Sequence, residues 1–403
     1  MSRWEAVLLS DVLVEAKPGF ACGEDVEDGV FQFRMNNITT DGQIDLTKKR
    51  RVPRATRNIE TFLVEPGDVL FNATNSPDLV GKTACFTGLN EPAVFSNHFL
   101  RLRPRAAHLN ARFLSRWLNL QFDHGKFKGM CRQWVNQATV NRDALLAMRV
   151  PLPPLPEQRR ISAILDEADE LRAKRRAAIA KLDTLTQSIF LDMFGDPATN
   201  PKGFPIRALA QFYVNKEEGT KCGPFGSALK KNELHYDGVP VWTMDNIDIR
   251  GGMALPFRMW ISESKYRRLE VYSVADGDVI ISRAGTVGKM CVASTGGVRS
   301  IISTNLIRLR LGPDLLPLYF VSLMTYCKGR VGRLKTGEDG ALTHMNTGIL
   351  DTLKFPYPPL EMQKKFRVIV EVIEMQRSRH VAHLTEMKML FTSLQHRAFR
   401  GEL

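Results

Sequence analysis

Two stretches of the chain repeat apolar side chains every three or four residues. In the first, the seam is Ile161, Ile164, Ala168, Leu171, Arg175, Ala178, Leu182, Leu185 and Ile189. The same positions 205 residues later are Phe366, Ile369, Ile373, Gln376, His380, His383, Met387, Leu390 and Leu394. A period held near 3.5 over many turns is what helices need to pack along their length as a coiled coil. Each stretch is long enough for a helix of about 55 Å at 1.5 Å per residue. Proline clusters, Pro151-Leu152-Pro153-Pro154-Leu155 and Pro356-Tyr357-Pro358-Pro359-Leu360, stand before both. Proline is tolerated ahead of a helix and in its first turn but not inside it, so each cluster predicts a helix start.

Outside these stretches the apolar runs are short and follow turns, as strands do. Pro66-Gly67-Asp68-Val69-Leu70 returns as Asp276-Gly277-Asp278-Val279-Ile280, and Gly81-Lys82 as Gly288-Lys289. Ser96 to Arg103 returns as Ser303 to Arg310, and Gln158 as Gln363. The chain is therefore written twice, with loop insertions of its own in each half. The pattern predicts mixed α/β (α+β) domains at 1–150 and 197–355. Long helices are predicted at 151–196 and 356–403, and a chain duplicated in this way can relate its two halves by a pseudo-twofold axis. Gly195-Asp196-Pro197-Ala198-Thr199-Asn200-Pro201 marks the break between halves.

Composition narrows the partners. The 403 residues are 44% hydrophobic and 25% charged, with a formal net charge of +13. Such a surplus favours a polyanion, because each Lys or Arg set against a phosphate releases a condensed counterion. The six cysteines include no C-x-x-C pair, which argues against a zinc site and a disulfide framework. No apolar run reaches bilayer-spanning length, and Glu5 and Asp11 interrupt any signal-peptide core. A cytoplasmic protein without a membrane partner is expected.

Three kinds of catalysis are disfavoured. Gly81-Lys82-Thr83 has the tail of a phosphate-binding loop, but Ser76 stands where its first glycine belongs. The prolines of Leu152-Pro153-Pro154-Leu155 and Tyr357-Pro358-Pro359-Leu360 lack the polar and aromatic neighbours of an adenine methyltransferase motif. Asp166, Glu167, Asp169 and Glu170 fall on the predicted helix, where they read as a solvated face rather than a nuclease centre.

Several motifs resemble those of Type I restriction-modification specificity subunits. They are Pro153 to Ile161, Gln187 to Asp196, Phe399-Arg400-Gly401-Glu402-Leu403, and Thr74-Asn75-Ser76 with Leu79 to Lys82. Gly223-Pro224-Phe225-Gly226-Ser227 and Ser282-Arg283-Ala284-Gly285-Thr286 with Gly288-Lys289 complete the set, which spans essentially the whole chain. The resemblance implies two target recognition domains, each reading one half of a split, asymmetric site on double-stranded DNA, with the two long helices as an antiparallel coiled-coil spacer. It also implies docking of two adenine methyltransferase subunits, with restriction/translocase subunits joining that core. The chain itself would be non-catalytic and hold no cofactor, with S-adenosylmethionine, ATP and Mg on the partners. Pro154, Glu157, Gln158, Phe194, Pro359, Gln363 and Phe399 would bind partners. Met362, at the place Glu157 holds in the first copy, makes the second docking motif looser. The rival reading is a structural coiled-coil adaptor without DNA readout.

Candidate DNA contacts follow from residue chemistry. Lys48, Lys49, Arg50, Arg51 and Arg54, with Arg57, form the densest basic stretch and suit phosphate contacts. Arg132, Gln133, Asn136 and Gln137 surround Trp134, and Arg, Asn and Gln make the paired hydrogen bonds that read guanine and adenine. Thr74, Asn75, Ser76 and Lys82 have Arg283, Thr286 and Lys289 as second-half counterparts. Lys221, Ser227, Lys230 and Lys231 flank the Gly223-Pro224-Phe225-Gly226 turn. Lys335, Thr336, Thr343 and His344 occupy the second-half slot of Arg132 to Gln137.

Overall fold

The two seams form helices Leu155–Phe194 and Leu360–Arg400 in the computed structural model. The structure describes residues 4–403 except 57, 135–136, 226–227, 249, 284–286 and 327–344. Thr286, Asn136, Ser227, Lys335, Thr336, Thr343 and His344 therefore lie outside the described residues. The chain divides into two compact units, Met1–Arg176 with Ala382–Leu403 and Ala177–Val381, so both long helices contribute to each.

In the first unit a four-stranded antiparallel sheet has the order Leu13–Pro18, Phe99–Pro104, Val69–Asn72, Thr83–Cys85. Alternation along a strand sends successive side chains to opposite faces. Val69 and Phe71 accordingly join the core with Phe113, Leu114 and Trp117 of helix Ala111–Asp123 and with Ile161, Leu165, Phe391 and Phe399 of the long helices. Leu70 faces the other way, onto Phe31, Phe33, Phe95 and Phe99. There a three-stranded sheet orders Arg51–Val52, Val30–Phe33 and Ala93–Phe95, the last two parallel. Ala6–Leu8 pairs with Arg149–Pro151 just before the first long helix.

The second unit repeats this plan. Its four-stranded sheet is Thr220–Cys222, Leu306–Leu309, Val279–Ser282, Met290–Val292. Its three-stranded sheet is Trp260–Ile261, Val239–Trp242, Ile301–Ile302, again with one parallel pair. Ile206–Ala208 pairs with Lys354–Pro356 before the second long helix. Even the ion pairs recur. Arg103 grips Asp68 through two bonds of 2.7 and 2.9 Å, and Arg310 grips Asp278 through two of 2.8 Å. Buried Arg101 pairs with Glu15, and buried Arg308 with Glu218.

Within each unit the long helices run antiparallel. In the first, Arg172 lies 4.0 Å over the Phe391 ring and Arg160 donates to the Leu403 carbonyl at 2.9 Å. In the second, Arg377 bonds Asp183 at 2.6 Å and Phe190 packs edge-on against Phe366. The 3.5-residue period holds, but the order of its steps differs from the expected one. Phe366 and Ile373 are buried as expected, whereas Ile369 and Leu390 are exposed and Val370 and Phe391 take the inward places. On the first helix Leu165, Asp169, Arg172 and Thr186 turn inward while Leu171 and Leu185 face out. The four-residue step comes first, and several inward places are polar, so apolar spacing placed several positions one residue early, as with Ile164 for Leu165, Ala168 for Asp169 and Leu171 for Arg172.

Candidate nucleic-acid interface

Two segments that are 60 residues apart in sequence meet in one small sheet of the first unit. Arg132–Trp134 pairs with Gln137–Thr139, which pairs in turn with Thr74–Asn75. The Thr74 and Thr139 hydroxyls lie 3.1 Å apart. Arg132 and Gln137 are exposed, and Gln133 stands opposite Ala138 in the hairpin register. This edge presents the donor and acceptor types that read base edges.

Behind it lies a network of buried amides. Asn75 is 8% exposed; it donates to Asn72 Oδ1 at 2.6 Å, and its own Oδ1 accepts from the Ser76 backbone at 2.8 Å. Its side chain shapes the turn, which corrects its expected role in base contact; Ser76 remains half-buried at the turn. Asn72 bonds through its backbone to the Lys82 carbonyl. Lys82 is likewise not a surface cation. It is 6% exposed and donates to the Met35 carbonyl at 2.9 Å and the Ile38 carbonyl at 2.5 Å. Burial holds its pKa below the ordinary lysine value. Its place in the site is to anchor the loop that leads to the basic stretch. Asn37, also buried, completes the anchor by donating to the Asp45 and Lys48 carbonyls at 2.8 Å each. His98 sits beside this network with its pKa lowered by burial and by Arg34.

The basic stretch divides by duty. Lys48 and Lys49 are exposed, and Arg54 is exposed with a loose 3.4 Å contact to Asp28. Arg50 instead donates to the Cys22 and Glu24 carbonyls, at 2.8 and 2.9 Å. Arg51 bonds Glu91 at 2.5 Å, and that bond draws the Glu91 carboxyl below its ordinary pKa. Arg50 and Arg51 thus hold the loop and leave Lys48, Lys49 and Arg54 to meet a polyanion.

In the second unit the same turn recurs in backbone terms. The Ser282 amide donates to the Lys289 carbonyl as that of Asn72 does to Lys82, and the Arg283 amide to Asn305 as that of Ala73 does to His98. Lys289 is half-buried here, and its amide donates to the Ser282 hydroxyl at 3.2 Å. Lys230 and Lys231 are exposed, and Lys221 lies 3.5 Å from Glu218. The guanidinium of Arg283 lies 4.8 Å over the ring of Phe225, which is 56% exposed. Phe225 escaped the sequence reading, although an aromatic inside a Gly-Pro-x-Gly turn was a usable signal. Asn37 and Asn72 escaped it because nothing in the local sequence tells that a loop or strand asparagine is buried on backbone carbonyls.

Four of the expected partner contacts are internal. Gln158 is fully buried; it donates to the His108 and Pro153 carbonyls and accepts from the Asn110 amide at 2.8 Å. Gln363 does the same work, donating to the Pro358 carbonyl at 3.0 Å and accepting from the Leu316 amide at 2.9 Å. Phe194 and Phe399 pack in the cores of their units. Pro154 and Pro359 are exposed, and half-buried Glu157 pairs with Arg160 at 2.7 Å. Among the described residues no helix is long and apolar enough to cross a membrane.

Comparison with known proteins agrees with this architecture. Residues 1–181 match the family model described as the Type I restriction modification DNA specificity domain. A protein of Methanocaldococcus jannaschii, provisionally named the type I restriction enzyme MjaX specificity subunit, is 23% identical over 387 residues, covering 93% of this chain and 88% of its own. A chain from a structure of type I R-M system assembly and conformational transition superposes with a TM-score of 0.60 at 18% identity, covering 99% of this chain and 98% of that one. The S subunit of a Type-I restriction-modification system from M. genitalium gives 0.60 at 14% identity, covering 99% and 96%. At these identities the structural matches speak for the fold.

Proposed function

We infer that this chain is a specificity subunit of a Type I restriction-modification system and the DNA-reading component of that system, a reading supported by the match of residues 1–181 and by the similarity to named specificity subunits. Each unit reads one half of a bipartite site. The observation that carries this reading is the duplication itself: the same sheets, ion pairs and glutamine clamps occur twice, while the polar residues in the corresponding stretches differ in sequence. A shared frame carrying unlike polar residues suits two unlike half-sites and hence an asymmetric site. In the first unit Arg132 and Gln137 face the bases, and Lys48, Lys49 and Arg54 grip phosphates. In the second, Lys230 and Lys231 supply phosphate contacts. Base contacts give the discrimination, roughly 1–3 kcal/mol for each good pair, and phosphate contacts give the salt-dependent affinity.

The chain performs no chemistry in this reading. Two adenine methyltransferase subunits dock on it and carry S-adenosylmethionine, and restriction/translocase subunits bring ATP and Mg. Exposed Pro154 and Pro359, at the starts of the long helices, mark equivalent places for the methyltransferases. The test is long-read methylation mapping of DNA from cells that express the chain with its methyltransferase. A split motif of two different halves, methylated at adenine only when this chain is present, is expected. An active methyltransferase that leaves no such motif would overturn the reading.

A further inference from the structure

Most arginines with a fixed partner in the second unit are held by carboxylates. Arg250 is held by Asp183 and Asp248, Arg258 by Asp245, Arg299 by Glu263, Arg308 by Glu218 and Arg310 by Asp278. Arg283 is held differently. Its guanidinium rests 4.8 Å over the Phe225 ring, and its Nη1 is enclosed with no hydrogen-bond partner. No side-chain hydrogen bond or ion pair joins it to any described residue. A carboxylate would neutralise the group and occupy its donors. An aromatic face fixes the plane by cation–π attraction and leaves both the charge and the donor edge in place.

The matching turn of the first unit has no such arginine, and the arginines of that unit that do lie over rings, Arg101, Arg116 and Arg172, also pair with carboxylates. Ala73 stands at the place of Arg283 in the shared backbone turn, and it is buried. The aromatic after Gly19, the counterpart of Gly223, is Phe20, which packs against Phe62 with ring centroids 4.8 Å apart. An arginine braced at this turn without a carboxylate is thus a property of one half of the molecule. It sits in the turn whose first-unit equivalent leads directly into the Thr74–Asn75 strand of the candidate interface.

We propose that Arg283, braced on Phe225, reads a guanine in the half-site of the second unit. A planar cation with a fixed orientation and a free N–H edge matches the O6 and N7 acceptors of guanine, the commonest specific arginine contact in the major groove. The inference rests on the DNA-reading function proposed above and goes further, to one base and one residue.

The experiment uses the full chain assembled with its methyltransferase and a duplex carrying the mapped site. The half-site that remains when residues 1–150 are exchanged for those of another specificity subunit is the one read by the second unit. That half-site is expected to contain a G·C pair. Replacing its guanine by 7-deazaguanine, or Arg283→Met, should each weaken binding roughly ten- to a hundredfold, and the two losses together should not add. Arg283→Lys should fail to restore binding, and Phe225→Leu should reproduce part of the loss at that base pair only. A second half-site without any G·C pair would overturn the proposal. So would a loss for Arg283→Met that is equal on unrelated DNA and repaired by lysine, which is the mark of a phosphate contact. If the assembled wild type distinguishes no sequence at all, the DNA-reading function itself fails, and the two failures are not confused. Unchanged thermal unfolding and methyltransferase assembly of the variants would show that they fold.

Discussion

At the scale of single residues, the buried polar groups decide what the exposed ones do. Lys82 is the clearest case: its ammonium closes on two carbonyls of the loop ahead of Lys48. Lys82→Met keeps the aliphatic bulk and leaves both carbonyls without a donor. It should lower stability by about 1–3 kcal/mol, read as a shift in urea midpoint, and should weaken DNA binding without changing which sequence is preferred. Full-strength binding by the variant would show that the loop needs no anchor. Glu91 makes the corresponding prediction in pH. Its carboxyl lies below the ordinary 4.5 because it bonds Arg51, so the folded state binds fewer protons than the unfolded one near that value. The stability it contributes is present above the ordinary value and is lost as pH falls through the lower folded value. Wild type and Glu91→Gln should therefore differ in urea midpoint at neutral pH and converge on acidification, and a difference that persists in acid would refute the assignment.

At the scale of elements, Gln158 and Gln363 act as paired clamps, each tying a long-helix start to the segment ahead of its unit's shorter helix. Gln158→Leu would orphan the Asn110 amide and the His108 and Pro153 carbonyls beside a side chain that is itself fully buried. The cost should be about 2–4 kcal/mol, several unmet groups at 1–3 kcal/mol each being partly relieved by relaxation. Gln363→Leu should cost a similar amount, and urea unfolding of the two variants tests the equivalence. Much of this level was legible in the sequence, since the 205-residue offset, the proline-led helix starts and the turn-then-strand runs are local patterns. The glutamines were found, but as partner contacts, because nothing local tells that an amide at a helix start reaches back about 50 residues to His108. The helix seam was found with its period right and several of its positions set one residue early. The inward Asp169, Arg172 and Thr186 are polar, and a search for apolar spacing passes over them. The meeting of Thr74 with Thr139 was likewise hidden, because pairing across 65 residues is set by the fold of the unit rather than by either segment.

At the scale of the whole molecule, both long helices pass through the boundary between the units, after Arg176 in one and after Val381 in the other. If each unit reads one half-site, these helices are what fixes the unread gap. Four residues inserted near Ala178, matched by four after Val381, add one helical turn to each, about 6 Å. A four-residue insertion is a stutter that a coiled coil absorbs by local unwinding, so the seams on either side stay paired. At about 3.4 Å per base pair the lengthened pair should shift the tolerated gap by one to two base pairs. A larger insertion meets a second constraint, because the duplex turns through about 35° for every base pair added and soon carries the second half-site away from its reader. Methylation mapping of the insertion variant checks this directly. Both half-sites should keep their sequences while the gap alone grows, since no side chain of either candidate interface is touched. A gap that stays the same, with methylation intact, would mean that the recognition units rather than the helices measure the distance along DNA.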